Sequence, residues 1–318
     1  MGPMDGWKPR LLACDLDGTL LDETGVLRPA VISAIDAVRA AGIHVVLATG
    51  RNAWAVAETA RALGLTGPQI VMNGGAYVSP VTGEVVWARR LEPKLALEAI
   101  ALARDLETSP LLGFLDGHVR ERAAEGTAET PDFAVGSRLQ HVDSLDALAG
   151  HGPIRVYLPT PPELHARAMA EARDRFRDRA AIVYTDEFGF EIMQPGTNKG
   201  VALRQVAAAL EIERDYVAAI GDGPNDREML AFAGRSAALL PNSGSLPTGG
   251  SILAGATRVV SPSAHDGAVE AIRLFLPDLD LGANSSNLRE IGDPAAVRVA
   301  RVLSPDRDPE PDLSRTAA

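Results

Sequence analysis

Leu11-Leu12-Ala13-Cys14, followed at once by Asp15-Leu16-Asp17-Gly18-Thr19, reads as a short buried strand that ends in a carboxylate. In an open α/β sheet, ligands bind outside the carboxyl ends of the strands. Asp15 therefore faces a crevice, and Asp17 follows in a turn that Gly18 allows to bend sharply. Acidic turns also end strands merely for solubility, so the meaning of this stretch depends on what the rest of the chain supplies.

Working outward, Pro29 opens a helix whose Val31, Ile32, Ile35 and Val38 share one face, and Gly42 closes it. Ile43 to Ala48 is a second strand, ending at Thr49-Gly50-Arg51. Residues 52–63 follow as a helix with Gly64 as its stop, and Gln69 to Met72 is a third strand, ending at Asn73-Gly74-Gly75. This alternation predicts a parallel sheet with right-handed crossovers. The rhythm then breaks. Tyr77-Val78 and Val85 to Ala88 flank Thr82-Gly83 as a hairpin. Beyond it come a helix near 93–106, strands near 111–121 and 154–158, a helix near 162–177, and strands near 181–185 and 189–193. The alternation returns when Asn198 caps a helix to about 210. Val217 to Ile220 then forms a strand ending at Gly221-Asp222, a helix starts near Asn225-Asp226, and short strands lie near 236–240 and 257–260.

The fold class expected is α/β: a Rossmann-like, doubly wound parallel-sheet core made of residues 1–88 and 194–282, interrupted by an inserted α+β cap domain at 89–193. Hinges are expected near 87–90 and 193–196. Residues 283–318, rich in Asn, Ser, Asp and Pro, read as a disordered tail with at most a short helix at 294–302.

Composition narrows the function. An apolar fraction of 46% is ordinary for a soluble globular chain, and no apolar run approaches the roughly 18 residues of a membrane span. The start of the chain lacks a basic segment followed by an apolar one, and a single cysteine allows no intrachain disulfide. A cytoplasmic location is the expectation. The net charge is −11, and the one Arg-rich run, Arg173 to Arg179, is interleaved with Asp174 and Asp178. That is a solvated helix face rather than a polyanion-binding stripe, so neither nucleic acid nor membrane is expected as a partner. Oligomeric state leaves no mark in the sequence.

Four ends of elements share a chemistry. Asp15 and Asp17 end the first strand, Thr49 the second, Lys199 opens a helix, and Asp222 and Asp226 bracket the end of the strand at 217–220. A cation at a helix N-terminus opposes the macrodipole, so Lys199 points to an anion nearby. A carboxylate can attack a phosphoryl group and split one difficult step into two. Clustered carboxylates repel each other and a phosphate dianion, which calls for a hard divalent cation such as Mg²⁺. Lysine, a hydroxyl and backbone amides serve phosphate oxygens, and a second carboxylic group can protonate the leaving alcohol and then activate water.

Taken in order, these motifs resemble the haloacid dehalogenase-like superfamily of phosphatases. Asp15-Leu16-Asp17-Gly18-Thr19-Leu20-Leu21 is similar to its first motif, Thr49-Gly50-Arg51 to the second, Lys199-Gly200 to the third and Gly221-Asp222-Gly223-Pro224-Asn225-Asp226 to the fourth. Asn73-Gly74-Gly75, and Phe190-Glu191-Ile192-Met193 ahead of Thr197-Asn198-Lys199-Gly200, resemble the Cof-type, C2-capped branch. The likeness spans about residues 10–278. It implies Asp15 as nucleophile and metal ligand, and Asp17 as general acid/base with its carbonyl on the metal. It implies Asp222 and Asp226 as further Mg²⁺ ligands. Thr49, Gly50 and Lys199 would hold the phosphoryl group, Arg51 and Asn73 would lie near substrate, and Asn225 would orient the site. The cap would select the substrate, a small phosphorylated metabolite such as a sugar phosphate or nucleotide-like monoester. A phosphomutase on the same scaffold and a non-catalytic phospholigand-binding protein are the rivals; intact Asp15 and Asp17 disfavour the second.

One departure stands out. The branch usually continues after the fourth motif with a turn like Ala-Met-Gly-Asn-Ala, whereas this chain has Ala237-Ala238-Leu239-Leu240-Pro241-Asn242-Ser243-Gly244, with Asn242 as a partial substitute and a longer, more flexible run at Gly244 to Gly250. Strand alternation turns Cys14 away from Asp15 into the core. The histidines lack metal-ligand spacing, and His118 is expected at the surface of a cap strand. Trp54 and Trp87 are expected to pack near the domain junction.

Overall fold

The computed structural model describes residues 7–122, 138–186, 188–242 and 255–281. The described residues divide into two compact units, one from the segments up to Val86 and from Asn198 to Leu281, the other from Trp87 to Thr197. The tail reading for 283–318, the helix at 294–302 and the run Gly244 to Gly250 lie outside the described residues.

The first unit begins with β1 (Leu11–Cys14), α1 (Pro29–Ala40), β2 (His44–Leu47), α2 (Ala53–Ala62), β3 (Gln69–Val71) and β4 (Ala76–Val78). The chain leaves this unit within β5 (Val85–Ala88). The second unit contains α3 (Pro93–Asp105), β6 (Leu111–Gly113), β7 (His118–Glu121), β8 (Leu139–Val142), β9 (Arg155–Pro159), α4 (Pro162–Phe176), β10 (Ala181–Asp186) and β11 (Gly189–Met193). The first unit resumes with α5 (Lys199–Ala209), β12 (Val217–Gly221), α6 (Arg227–Phe232), β13 (Arg235–Leu239), β14 (Arg258–Val260) and α7 (Gly267–Phe275).

The core sheet has the order β14-β13-β12-β1-β2 and is parallel throughout. β1 and β12 are buried at every position, because they lie mid-sheet and both faces are covered. α6 and α7 pack on β12 and β13, with α5 against α6, and α1 against α7 and β2. The chain goes from β1 to β2 on one side and returns through β12 on the other, so the crevice between β1 and β12 is a topological switch point. Cys14 pairs with Ile220, and the amide of Asp15 donates to the Ile220 carbonyl at 2.9 Å. The next residues on both strands, Asp15 and Gly221-Asp222, therefore leave the sheet side by side.

One strand departs from the expected pattern. β3 joins β4 and β5 in a separate three-stranded sheet, pairing with β4 antiparallel, and meets the core sheet through a parallel bridge from Ala48 to Ile70 and a bond from the Leu47 amide to Gln69 Oε1 at 2.7 Å. The hairpin that follows captures β3, since a neighbour reached by a short turn pairs antiparallel at low loop entropy.

The second unit is a six-stranded sheet, β10-β11-β9-β6-β7-β8, with α3 and α4 on one face. The strand region near 111–121 is a hairpin of two strands, and β8 is an additional strand paired parallel to β7. Val119, Val156, Leu158, Phe190 and Ile192 join the two helices in the apolar core. Alternation sends His118, Arg120, Arg155 and Glu191 to the other face. His118, expected at the surface, is instead only 6% exposed. Its Nε2 lies 3.2 Å from Arg155 Nη2, and Arg155 pairs with the buried Glu191. Burial, then the charges of Arg155 and Arg120, push its pKa down to about 3, so the imidazole is neutral at physiological pH. The two segments that enter and leave this unit are tied together. Arg89 Nη1 donates to the Pro195 carbonyl at 3.0 Å, and the Glu92 amide to Gln194 Oε1 at 3.2 Å. Trp87 stacks beneath the Arg89 guanidinium, 5.5 Å from ring centroid to charge.

Candidate active site

All ten candidate residues lie in the first unit. Asp15 continues β1, is 5% exposed and receives Lys199 Nζ at 2.7 Å. The same ammonium donates to Asp226 Oδ1, also at 2.7 Å. Lys199 and Asp226 are fully buried. Lys199 reaches them because it is the first residue of α5, whose N-cap Asn198 accepts from the Val201 amide at 2.8 Å. The anion anticipated from its unfavourable helix position is thus a pair of carboxylates. Gly200 is needed next to it: a Cβ there would stand 2.4 Å from the Glu228 carbonyl, so α5 could not approach the start of α6.

Asp226 also organises the loop after β12, its Oδ2 accepting from the amides of Asp222 and Gly223 at 3.0 Å each. Asp222 is half-buried and accepts from Thr19 Oγ1 at 2.6 Å. Thr19, a first-motif residue with no chemistry legible in its local sequence, thus orients the fourth-motif carboxylate, a contact made only by the juxtaposition of β1 and β12. Gly18 permits this contact. Its φ is +75°, and a Cβ would come within 2.3 Å of Asp222 Oδ2.

Asp17 stands apart with its side chain 55% exposed. Arg51 grips it with a fork: Nε to Oδ2 at 2.9 Å and to Oδ1 at 3.1 Å, and Nη2 to Oδ1 at 2.5 Å. Thr49, fully buried, accepts from the Arg51 amide through Oγ1 at 3.1 Å, and its carbonyl accepts from the Asn73 amide at 2.9 Å. The helix that follows, α2, has Asn52 rather than Thr49 at its N-cap. Asn73 sits in the left-handed region at φ 53°, ψ 32°, which Asn tolerates better than most residues. It accepts from Asn225 Nδ2 at 3.0 Å and packs closely on Gly50. Asn242 does not join this group: it bonds Ser263 Oγ and the Ala264 amide, at 3.3 and 3.2 Å, and ties its own turn together. Cys14 is buried, with its thiol pKa pushed up by burial and then by Asp15, and is inert core.

Oxygens of Asp15, Asp222 and Asp226 lie within 4.8 Å of one another. One ammonium serves two of the three carboxylates, so with all three ionised the group carries two negative charges in excess. Burial first, and then Asp226, hold Asp15 well above the ordinary carboxylate range. The same causes in the same order push Asp222 up to about 7. Burial draws Lys199 down, but Asp15 and Asp226 outweigh it and the ammonium is held above its usual value. An all-oxygen, doubly negative donor set suits a hard divalent cation, with no nitrogen or sulfur ligand to favour a softer one.

A pH dependence follows. Asp15 and Asp222 bind their protons more tightly in the folded chain than in the unfolded one. The metal-free protein therefore loses stability as pH rises from the ordinary carboxylate range through about 7. Thermal melting in chelator is expected to give a higher midpoint near about pH 5 than near about pH 7.5, with the difference erased by divalent cation. A midpoint that rises between these two values would contradict this electrostatic picture.

A model of haloacid dehalogenase-like hydrolases matches residues 12–246. The chain belongs to this family. It is 28% identical over 235 residues to a putative phosphatase of Haemophilus influenzae, covering 71% of this chain and 83% of that protein. It is also 28% identical over 227 residues to the HMP-PP phosphatase of Cronobacter sakazakii, covering 71% and 82%. Among solved structures, a phosphatase of the haloalkanoate dehalogenase superfamily from Bacteroides thetaiotaomicron matches with a TM-score of 0.70 at 21% identity, over 86% of this chain and 98% of that one. At that identity the likeness speaks for the fold, a Rossmann-like α/β core. The expected fold class and the expectation of a phosphatase-type hydrolase agree with this membership. Among the described residues, no helix is long and apolar enough to cross a membrane.

Proposed function

We propose that this hydrolase is a Mg²⁺-dependent phosphatase of small phosphorylated metabolites, sugar phosphates or nucleotide-like monoesters, acting through an aspartyl-phosphate on Asp15. The observation that carries it is the sharing of one buried ammonium, Lys199, by Asp15 and Asp226 beside a third carboxylate at the switch point of the sheet. Asp15, Asp222 and Asp226, with the carbonyl of Asp17, would hold the cation; bound there, Mg²⁺ supplies charge neutralisation to the transferring phosphoryl group.

Asp15 then attacks phosphorus as its carboxylate, forming the O–P bond as the ester P–O bond breaks. Lys199 is positioned to stay on Asp15 and to serve a phosphoryl oxygen, while the Thr49 hydroxyl and the amide of Gly50 add donors. Asp17 gives a proton to the leaving alkoxide. It then takes one from water, whose oxygen attacks phosphorus and releases phosphate and the Asp15 carboxylate. Asn225, bonded to Asn73, braces the loop that carries Asp222 and Asp226.

The test is phosphate release from a panel of sugar phosphates, nucleotides and other monoesters. Release from one or a few compounds with Mg²⁺, its loss in chelator and its return with fresh Mg²⁺ are expected. Ca²⁺ is expected not to substitute, because its looser, higher coordination spoils in-line geometry. Folded protein that stays silent across the panel, or equal rates in chelator, would refute the reading.

A further inference from the structure

The two cations of the site are divided between two jobs. Lys199 serves the buried pair Asp15 and Asp226, and the three-carboxylate group comprises these and Asp222. The fourth carboxylate, Asp17, is turned to Arg51, which occupies both of its oxygens. Arg51 itself is pinned at its root, its amide on Thr49 Oγ1 and its carbonyl on the Met72 amide at 2.9 Å. The side chain is one-third exposed, so the guanidinium stands where an incoming dianion meets it.

We propose that Arg51 is a latch on Asp17 that a phosphoryl dianion releases: the arriving phosphoryl group takes the Arg51 fork, and Asp17 is freed to act as acid only once substrate is seated. This rests on the phosphatase reading above. A guanidinium matches a carboxylate and a phosphate with the same planar fork, and the two compete for it. In the resting state every Asp17 oxygen is engaged, which keeps this carboxylate out of the metal-binding group. No covalent step is involved; one ion pair is exchanged for another. Arg51 in this role binds the dianion itself and, through its ion pair, positions Asp17.

The competition is measurable without turnover. Calorimetric titration with inorganic phosphate, in the presence of Mg²⁺, is to be run on wild type, Asp17→Asn, Arg51→Gln and the double variant. Asp17→Asn leaves Arg51 free for the anion, so its Kd is expected to fall about fivefold or more, whereas Arg51→Gln is expected to raise Kd about tenfold. The deciding comparison is the double variant. A latch predicts that removing Asp17 gains nothing once Arg51 is gone, so the double variant binds like Arg51→Gln. A gain that persists in that background would mean simple charge repulsion by Asp17 and would overturn the latch, as would unchanged Kd in Arg51→Gln.

Kinetics give a second readout. Asp17→Asn is expected to slow an alkyl phosphate far more than p-nitrophenyl phosphate, whose leaving group departs without a proton. Arg51→Gln is expected to raise KM for both substrates alike, with no selective loss of kcat on the alkyl ester. A selective kcat loss would show that Arg51 presents Asp17 for catalysis rather than holding it aside. If wild-type protein binds phosphate and hydrolyses monoesters, only the latch is at stake in these comparisons; if it does neither, the phosphatase reading itself fails.

Discussion

Asp15→Asn is expected to lower phosphate release by roughly four orders of magnitude or more, the scale seen when an enzyme loses its nucleophile. An amide does not attack phosphorus, and among the described residues the neighbouring carboxylates are already engaged: Asp222 is held by Thr19 and Asp17 by Arg51. The fold is expected to survive. Asparagine has the same shape, and its oxygen can still accept from Lys199 Nζ. The substitution also removes one charge from a group that carries two in excess, at a position where burial and Asp226 already disfavour the ionised form. The variant is therefore expected to melt in chelator at or above the wild-type temperature while failing to release phosphate. Turnover close to wild type would remove Asp15 from the nucleophile role. A loss of activity that came with a collapsed melting transition would make it structural instead.

Lys199→Met is expected to damage both stability and turnover. Lys199 is wholly buried and is the shared partner of two buried carboxylates. Removing one side of a buried ion pair leaves uncompensated charge and costs about 3–5 kcal/mol. Urea unfolding in chelator is expected to show a loss of that order. Divalent cation is expected to recover part of it, because the cation neutralises the same carboxylates. Adding Asp226→Asn to Lys199→Met is expected to restore stability relative to the single variant, since the stranded charge goes with it. Turnover in Lys199→Met is expected to fall about 10²–10³-fold, as for loss of a preorganised electrostatic donor. A variant as stable as wild type in chelator would mean that the ammonium does not hold the cluster together.

Much of this was legible in the sequence for a definite reason. Strand ends carry the chemistry in parallel α/β sheets, so a run such as Leu11 to Cys14 followed by Asp15 announces both the strand and the crevice. Lys199 betrayed its anion through an unfavourable helix position, a local property that needs no fold to be seen. His118 shows the opposite case. Its exposure depends on which neighbours share its sheet face, and the Arg155 beside it, with the Glu191 that Arg155 pairs with, lie 37 and 73 positions further along the chain. β3 was legible as a strand, but its partner was not, because pairing is settled by competition between β2 and β4.

By itself, then, the sequence determined the α/β alternation, the interruption by a second unit and the identity of the acidic, basic and hydroxyl groups at the element ends, since periodicity and turn chemistry are local. Tertiary structure alone decided who partners whom: Lys199 shared by Asp15 and Asp226, Thr19 on Asp222, and Arg51 on Asp17 rather than free for an anion. Those pairings join residues up to 203 positions apart, and the register of β1 against β12 and β2, with the packing of α5, brings them within hydrogen-bond reach.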